Sequence, residues 1–151
     1  MSSPVEKDAS KTGAEARLTA ALRERGYRIT SPRLAVYRAL CELDGHSTPE
    51  EVHRTVNDRS AVSVPTVYAV LDLLDKLGLA RRVSSVAGAA RFDPRTDEHQ
   101  HLVCSSCGLI EDLESSIDFE AVRSAASHGS FAADRVDLTV TGLCGRCASS
   151  A

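Results

Sequence analysis

Large aromatic side chains are scarce in this sequence of 151 residues, which has no tryptophan, three phenylalanines and three tyrosines. A small lobe with so few of them buries only a thin core and needs a further source of stability. The sequence also lacks any apolar run near the roughly 18 residues of a membrane helix, and its polar N-terminus lacks the apolar segment of a secretory signal. These absences favour a cytoplasmic protein without a membrane partner.

A strong net charge is absent as well, since the formal value is −3, but the charges are unevenly divided. Residues 1–91 hold 14 basic against 11 acidic side chains, whereas residues 92–151 hold 4 against 10. In residues 17–38, six arginines face one acidic residue, Glu24. The division favours an N-terminal half that binds a polyanion, although most charge runs are only solvated helix faces.

Apolar spacing predicts four helices followed by a hairpin in the N-terminal part. Residues 1–13 are polar and predict a flexible tail. Capping residues and apolar stripes predict helices that begin near Ala14, Thr30, Thr48 and Ser63. Short extended segments on either side of Gly88 predict a hairpin. This order is typical of a winged helix-turn-helix domain over residues 14–92, with the fourth helix as the recognition helix and the hairpin as the wing.

The C-terminal part has a different character. Residues 93–98 are polar, contain a proline and predict a hinge. In residues 99–151, strands are predicted in HLVC, LIEDL and VDLTVTG, together with a helix over residues 116–126. The chain is therefore predicted to belong to the α+β class, with a winged-helix domain followed by a small α/β domain.

Four of the five cysteines form two Cys-x-x-Cys pairs, Cys104 with Cys107 and Cys144 with Cys147. Two such turns supply four thiolates to a tetrahedral Zn²⁺, and a structural zinc is worth on the order of 10 kcal/mol to a small unit. The alternatives are two disulfides, which a reducing cytoplasm disfavours, and a redox-active pair, which lacks a thioredoxin-like βαβ pattern. Cys41 lies in the apolar stripe of the second helix and is predicted to be a core thiol.

A second group of possible ligands precedes the first cysteine pair. His99 and His101 are two residues apart, so in a strand both imidazoles lie on one face and can reach one ion. Asp93 lies shortly upstream, and Asp112 lies opposite if the next strand pairs as a hairpin. A His-x-His pair alone is weak evidence, because exposed pairs of this kind are equally common.

Seven motifs resemble, in this order, those of the ferric uptake regulator (Fur) family of metal-dependent DNA-binding repressors: RITSPR, GHSTPEEV, SVPTVYAVL, ARFD, DEHQHLVCSSCG, LIEDL and GLCGRC. The resemblance spans residues 17–147 and is most specific in the His-x-His before the first cysteine pair. Within the family, the chain is similar to the peroxide-sensing (PerR-like) branch. The resemblance implies a homodimer, joined through the C-terminal sheet, that binds double-stranded operator DNA.

The peroxide-sensing branch uses a regulatory site of three histidines and two aspartates, and each has a match here. The implied ligands are His46, Asp93, His99, His101 and Asp112. Three nitrogens and two oxygens suit Fe²⁺ or Mn²⁺ better than Zn²⁺. Iron-sensing members often have glutamate at the position of Asp112, so aspartate favours peroxide sensing. Taken singly, each of these residues also fits a structural role, such as a cap or a solvated surface position.

Other positions limit what the resemblance implies. Gln100 stands where a second sensory site needs an acidic residue, so one regulatory site besides the zinc is expected. Ala69 stands where arginine is usual in the recognition helix and leaves the operator sequence open. His53 and His128 have no ligand context and are predicted to be surface residues.

DNA contacts are expected from the recognition helix and from arginines. Three residues lie in the first turns of that helix, from which side chains reach base edges: Ser63, Thr66 and Tyr68. Four arginines are expected to contact phosphates and to set affinity rather than sequence choice: Arg28, Arg33, Arg81 and Arg82.

The regulatory metal is expected to connect the two halves, because His46 belongs to the helical half and the other ligands to the hinge and the C-terminal lobe. Binding of the ion then selects one orientation of the two wings of a dimer. Bound Fe²⁺ is expected to react with peroxide so that one oxygen atom is placed on His46 or His99, after which the ion leaves and repression ends. Oxidation of the four cysteines is a second possible trigger, disfavoured because a closed zinc site protects its thiolates.

Two other functions stay open at this point. An iron-responsive repressor of the same family would sense the supply of Fe²⁺ and ignore peroxide. A metalloenzyme or thiol oxidoreductase would use the His/Asp or Cys-x-x-Cys groups for chemistry. The sequence offers no nucleophile beside a general base, so an enzyme is not expected.

Overall fold

The structure, a computed structural model, describes residues 4–84, 89–114 and 116–150. Within these residues the chain forms two compact units, an N-terminal unit that ends at Thr96 and a C-terminal unit that begins at Asp97. The boundary falls inside the segment 93–98, for which a hinge is predicted.

The N-terminal unit consists of four helices and a two-stranded antiparallel sheet. Its elements are α1 (Pro4–Glu24), α2 (Ser31–Leu43), α3 (Pro49–Asn57), α4 (Val64–Lys76), β1 (Arg81–Ser84) and β2 (Ala90–Asp93). The two strands pair with Arg82 opposite Phe92. This order of helices and hairpin confirms the predicted winged-helix fold. The predicted turn near Gly88 lies outside the described residues.

Capping side chains fix where α3 and α4 begin. The Thr48 hydroxyl accepts from the Glu51 N–H at 3.2 Å, and the Glu51 carboxylate accepts from the Thr48 N–H at 2.8 Å, which completes a capping box. The Ser63 hydroxyl accepts from the Thr66 N–H at 3.4 Å at the start of α4. Both helix starts agree with the sequence prediction.

A single apolar core holds the helices of the N-terminal unit together. Helix α2 packs against α1, α3 and α4, and α3 packs against α4. The most deeply buried side chains come from all four helices and from the wing: Leu18, Leu22, Val36, Leu40, Val52, Val67, Leu71, Leu74 and Phe92. Burial of each such side chain contributes roughly 1.5–3 kcal/mol. The N-terminal unit therefore has a substantial core of its own.

The first helix is longer than predicted. Residues 1–13 are predicted to be a flexible tail, but α1 begins at Pro4 and is continuous to Glu24, so the prediction is wrong for residues 4–13. Proline is favourable in the first turn, and glutamate, lysine and alanine prolong a helix that buried leucines already hold in place. Neither α1 nor any other helix in the described part of the chain is both long and apolar enough to span a membrane.

The C-terminal unit is a three-stranded sheet with two short helices. Its elements are β3 (Gln100–Cys104), β4 (Ile110–Leu113), α5 (Phe119–Ala126), β5 (Thr139–Gly142) and α6 (Gly145–Ala148). The strand order is β4-β3-β5, with β3 antiparallel to β4 and parallel to β5. Helix α5 begins later than predicted because Asp118 is its N-cap and accepts from the Ala121 N–H at 2.9 Å. The last strand comprises only the final four residues of VDLTVTG.

The apolar core of the C-terminal unit is thin. Among its described residues, the buried hydrophobic side chains are those of Val103, Cys104 and Phe119. In a lobe of this size, the free energy gained by burying so little apolar area barely offsets the conformational entropy lost on folding. The unit therefore depends on a further stabilising element, as the scarcity of aromatic residues predicts.

Candidate metal centres and nucleic-acid interface

The four paired cysteines converge in the C-terminal unit. Cys104 ends β3, Cys107 follows in a tight turn that Gly108 closes with φ 72°, and Cys144 and Cys147 lie at the start of α6 and within it. Their Sγ atoms all lie within 4.8 Å of one another, and those of Cys107 and Cys144 are 3.8 Å apart. A tetrahedron of thiolates around zinc has edges of about 3.8 Å when each Zn–S bond is about 2.3 Å. The cluster therefore has the dimensions of a four-cysteine zinc site.

Strand pairing brings the two cysteine pairs together. Strand β5 lies parallel to β3 with Gly142 opposite Cys104, so the chain reaches Cys144 two residues after leaving the sheet. The Ser105 N–H donates to the Gly142 carbonyl at 2.8 Å and fixes this end of the pairing. The long segment between the two pairs thus returns the second pair to the end of the strand that carries the first.

The thiols of this cluster have widely separated pKa values. N–H groups of Cys107 and Cys144 donate to the Cys104 Sγ and lower the pKa of that thiol to about 6. A hydrogen bond from Ser106 lowers the pKa of Cys147, but the neighbouring sulfurs of Cys144 and Cys107 outweigh it and raise that pKa to about 11. Adjacent thiolates repel one another, so all four ionise together only around a cation. The electrostatics of the cluster therefore also suit a divalent ion.

A second ligand group of the C-terminal unit lies where β3 begins. His99 directly precedes β3 and His101 lies within it, with ring centroids 4.5 Å apart. His101 pairs directly with Asp112 on β4, as the sequence predicts for a hairpin around the first cysteine pair. The Asp112 Oδ1 is 3.6 Å from the His99 Nε2 and 3.9 Å from the His101 Nε2. Three of the predicted ligands thus lie within reach of one ion.

The backbone fixes the tautomer of His99. Its Nδ1 is 2.8 Å from the Asp97 carbonyl oxygen. A carbonyl only accepts, so Nδ1 carries the hydrogen and Nε2 of the neutral ring keeps its lone pair. That lone pair is on the atom nearest Asp112, which is the arrangement usual for metal-binding histidines.

The other two predicted ligands lie together in the N-terminal unit. His46 lies in the loop between α2 and α3, and Asp93 is the last residue of β2. The His46 Nε2 is 3.5 Å from the Asp93 Oδ2, and their side chains are 10% and 4% exposed. The other carboxylate oxygen of Asp93 accepts from the Arg95 N–H at 2.8 Å, which fixes the orientation of the carboxylate. His46 and Asp93 form a small group that suits a cation.

The loop that carries His46 has an unusual backbone. Asp44 has φ 48° and Gly45 has φ 124°, both in the positive region that side chains with a Cβ disfavour. The next residue but one, Ser47, forms an isolated antiparallel bridge with Phe92, with N–H···O distances of 3.0 and 2.8 Å. The turn at Gly45 and this bridge together place His46 beside the end of β2.

Gly45→Ala should destabilise the N-terminal unit by about 1–3 kcal/mol, the usual cost of a strained backbone position. An added Cβ meets nothing within 4 Å, so the cost comes from the φ of 124° and not from a clash. Urea unfolding followed by circular dichroism measures the change. Gly13→Ala is the matched control, since it also has open space but lies in α1, where alanine should stabilise by up to about 1 kcal/mol. Effects of the same sign would contradict the conformational explanation.

The predicted base-reading residues lie in the first two turns of α4. The Ser63 and Thr66 hydroxyls are 2.8 Å apart, and Tyr68 is 42% exposed. The Tyr68 hydroxyl donates to the Glu50 Oε1 at 2.6 Å, which lowers the pKa of Glu50 and raises that of Tyr68. The ring of Tyr68 is therefore accessible, and its hydroxyl is held by Glu50, a contact that the sequence does not predict.

The arginines expected to bind phosphate differ in accessibility. Arg28 is exposed before α2, and its carbonyl accepts from the Arg33 Nη1. The Arg33 guanidinium lies 5.8 Å over the Tyr27 ring. Arg82 is exposed on the wing and lies 3.6 Å from Asp72. These three guanidinium groups are at or near the surface of the N-terminal unit.

Arg81 does not have the predicted accessibility. It is only 8% exposed, and its Nη2 donates to the Thr96 carbonyl at 3.4 Å. Successive strand residues point to opposite faces, so Arg81 lies on the other face of the hairpin from its exposed neighbour Arg82, which pairs with the core residue Phe92. A side chain with so little exposed surface does not offer its guanidinium to a phosphate, which disfavours the predicted contact of Arg81.

The remaining cysteine and histidines lie outside both ligand groups. Cys41 is half-buried against the N-terminal core, and burial raises the pKa of its thiol, in agreement with a core role. His128 is exposed as predicted. His53 is half-buried instead, with its Nε2 3.0 Å from the Val62 carbonyl oxygen and 2.9 Å from the Asn57 Nδ2. The prediction missed this role because the loop contact is not encoded in helix spacing.

A winged-helix unit followed by a small sheet unit with cysteine and His/Asp ligand groups defines a metal-binding protein of the winged-helix class. Residues 24–141 match the model of the Ferric uptake regulator family. The transcriptional regulator FurA of Mycobacterium tuberculosis is 34% identical over 131 residues, which cover 85% of this chain and 88% of that protein. The peroxide-responsive repressor PerR of Staphylococcus aureus is 30% identical over 129 residues, which cover 85% and 87%.

The fold has a solved counterpart in the Helicobacter pylori ferric uptake regulator Fur, whose structure is described as revealing three functional metal binding sites. The TM-score is 0.72 at 20% identity, with 91% of this chain and 93% of that chain covered. The chain belongs to the ferric uptake regulator family, which confirms the resemblance seen in its motifs. It is a metal-responsive transcription regulator, and its family is one of regulators and not of enzymes.

Proposed function

We propose that this regulator is a repressor that binds operator DNA as a homodimer when a regulatory metal is bound, and that peroxide releases it by oxidising a histidine ligand. The observation that carries the proposal is the presence of two oriented ligand groups, His46 with Asp93 in one unit and His99, His101 and Asp112 in the other. Zinc in the four-cysteine cluster has a structural role, and Fe²⁺ or Mn²⁺ is the regulatory ion.

One regulatory ion is proposed to take all five ligands. Three imidazole nitrogens and two carboxylate oxygens, with no thiolate, suit Fe²⁺ or Mn²⁺. Ligands divided between two units make the affinity for the ion depend on the orientation of those units, so binding favours one orientation. In a dimer, that orientation sets the separation of the two recognition helices, which must match successive half-sites roughly 34–36 Å apart.

The homodimer is proposed to form through the C-terminal sheet. Strand β5 lies at one edge of that sheet, and all four of its residues are exposed. Exposed edge strands present backbone N–H and C=O groups that pair readily with a second chain. Dimerisation through β5 would also cover apolar surface, since Val140 is 44% exposed and Leu143 is 52% exposed.

Helix α4 is proposed to enter the major groove. Its first turns carry Ser63, Thr66 and the exposed Tyr68, whose side chains are of the types that contact base edges and thymine methyl groups. Arg28, Arg33 and Arg82 are proposed to contact phosphates, which positions the helix and makes affinity dependent on salt.

Peroxide sensing is proposed on the ligand set, in which aspartate stands at position 112. Bound iron supplies redox chemistry that lets H₂O₂ react beside the ligands. In the net reaction the O–O bond breaks, one oxygen atom adds to a ring carbon of His46 or His99, and the other leaves as water. The ring loses two electrons and the peroxide gains them. An oxidised imidazole binds metal poorly, so the two units are released from one another and DNA binding ends.

The test compares zinc-replete protein loaded with Fe²⁺ or with Mn²⁺ and then treated with H₂O₂. The iron sample should gain about 16 Da on His46 or His99 and lose DNA binding, whereas the manganese sample should do neither. His53 lies on the same tryptic peptide as His46, residues 39–54, and serves as an internal control that should stay unmodified. The only methionine is Met1, so methionine oxidation does not obscure the shift. Equal oxidation with manganese, or of His53, would contradict the proposal.

An iron-responsive repressor that ignores peroxide is the second candidate, favoured by the similarity to FurA. It predicts iron-dependent DNA binding that H₂O₂ leaves intact in the wild type. Peroxide sensing predicts instead that Asp112→Glu lowers histidine oxidation while iron-dependent DNA binding remains. The same mass-spectrometric assay on wild type and Asp112→Glu therefore separates the two candidates.

A further inference from the structure

The main chain of His46 is attached to the wing by a side chain outside the predicted ligand set. Arg91 lies on β2, two residues before Asp93. Its Nη1 donates to the His46 carbonyl oxygen at 2.9 Å and lies 3.7 Å from the Glu51 Oε2. The Arg91 side chain is 30% exposed, so its position is defined by these two partners rather than by deep burial.

The contacts of Arg91 add to hydrogen bonds that already join the His46 loop to strand β2. The Ser47 N–H donates to the Phe92 carbonyl, and the Phe92 N–H donates to the Ser47 carbonyl. Arg91 adds a third connection, which involves the residue before each bridge partner, at His46 itself. The Ser47–Phe92 bridge follows the His46 peptide, and the positive-φ turn at Gly45 precedes it.

The carboxylate of Glu51 balances the positive charge of Arg91. Glu51 accepts from the Thr48 N–H in the capping box of α3, and its carboxylate also faces the guanidinium. An unpaired cation near a metal ligand would disfavour a second cation through Coulomb repulsion, and the carboxylate offsets that effect. Because a guanidinium has several donors in a fixed fork, one side chain can serve both the carbonyl and the carboxylate.

We infer that Arg91 is a positioning residue of the regulatory metal site, which holds His46 at the 3.5 Å distance from Asp93 before any ion binds. The inference rests on the proposed function, in which His46 is a ligand. It makes the N-terminal part of the site preorganised, since the ion does not have to order the His46 loop. Groups that orient ligands in this way are typically worth 10–100-fold in metal affinity, so loss of the Arg91 donors should weaken Mn²⁺ binding about tenfold.

The experiment measures Mn²⁺ affinity by electron paramagnetic resonance of free Mn²⁺ on zinc-replete protein without DNA. Arg91→Met keeps the apolar stem and removes the donors, and Arg91→Lys restores a charged donor group. Arg59→Ala is the control, because it breaks another arginine–glutamate pair of the same unit, with Glu42, away from the ligands. Hydrogen exchange of the Ser47 amide in metal-free protein reports the position of the loop directly.

Arg91→Met should bind Mn²⁺ about tenfold more weakly and exchange the Ser47 amide faster, with Arg91→Lys close to wild type and Arg59→Ala unchanged. His46→Ala should bind Mn²⁺ about 100-fold more weakly, or weaker still. If Arg91→Met binds Mn²⁺ with wild-type affinity while His46→Ala binds it more weakly, the positioning role is overturned and the proposed function stays intact. An unchanged His46→Ala would overturn the proposed function itself. Should Arg91→Met fail to fold, Arg91→Gln is measured instead, and wild-type affinity together with unchanged Ser47 exchange in it would overturn the inference.

Discussion

Cys144→Ser should remove the zinc and unfold the C-terminal unit, which is the largest stability change expected from a single substitution in this chain. Cys144 is the N-cap of α6 but makes no capping hydrogen bond there, and serine is a good N-cap, so the helix itself is not weakened. The lost thiolate leaves three ligands and a core of few buried side chains. Because structural zinc is worth on the order of 10 kcal/mol in small units, that core cannot compensate.

Metal analysis of Cys144→Ser should fall from about one zinc per chain to near zero, and the circular dichroism of the sheet should be lost with it. Cys41→Ser is the matched control, since the same change is made to a half-buried thiol that packs against the core of the N-terminal unit. It should keep the zinc and cost at most about 1–2 kcal/mol. A Cys144→Ser protein that retains both zinc and its sheet would show that the metal does not hold this unit together.

His101→Ala should abolish metal-controlled DNA binding while leaving the zinc in place. The His101 Nε2 lies 3.9 Å from Asp112 within the C-terminal ligand group, and its strand pairing does not depend on its side chain. Loss of a direct ligand should weaken Mn²⁺ binding by at least about 100-fold, because groups that merely orient ligands are already worth 10–100-fold. Mn²⁺ titration and zinc analysis of the same sample measure both quantities.

His128→Ala is the control for His101→Ala, because it removes an exposed imidazole from the same unit outside the ligand group. It should bind Mn²⁺ with wild-type affinity. Equal affinities in the two variants would exclude His101 from the regulatory site. Loss of zinc from His101→Ala would indicate general damage to the unit, and Asp112→Asn, which removes a ligand charge, would then replace it in the comparison.

The order of elements and the cysteine cluster follow from local chemistry and could be predicted. A capping box at Thr48 and a serine cap at Ser63 fix helix starts through neighbours only three residues away. The pairing of His101 with Asp112 follows from a hairpin around the first cysteine pair, so strand alternation was sufficient to predict that these two side chains meet. The repeated Cys-x-x-Cys spacing likewise identifies its own partners.

Long-range contacts of individual side chains could not be predicted in this way. Nothing in the RFD motif reveals that Arg91 donates to the His46 carbonyl, because every residue has a backbone carbonyl and the sequence does not show which one a donor meets. The burial of Arg81 depends on what covers its face of the wing, and a two-residue run of arginines does not specify it. The extent of α1 was missed because polar composition reports exposure and not backbone conformation.

Metal control of DNA binding is tested most directly by the affinity of zinc-replete protein for one duplex with and without Mn²⁺. The duplex is selected from a random pool by the Mn²⁺-loaded protein, and anisotropy is measured at one fixed salt concentration, since phosphate contacts make affinity depend on salt. Mn²⁺ should strengthen binding by about 10- to 100-fold in the wild type and have no effect in His101→Ala. Equal affinity of the stripped and loaded wild type, with zinc retained in both, would contradict a regulatory ion that links the two units.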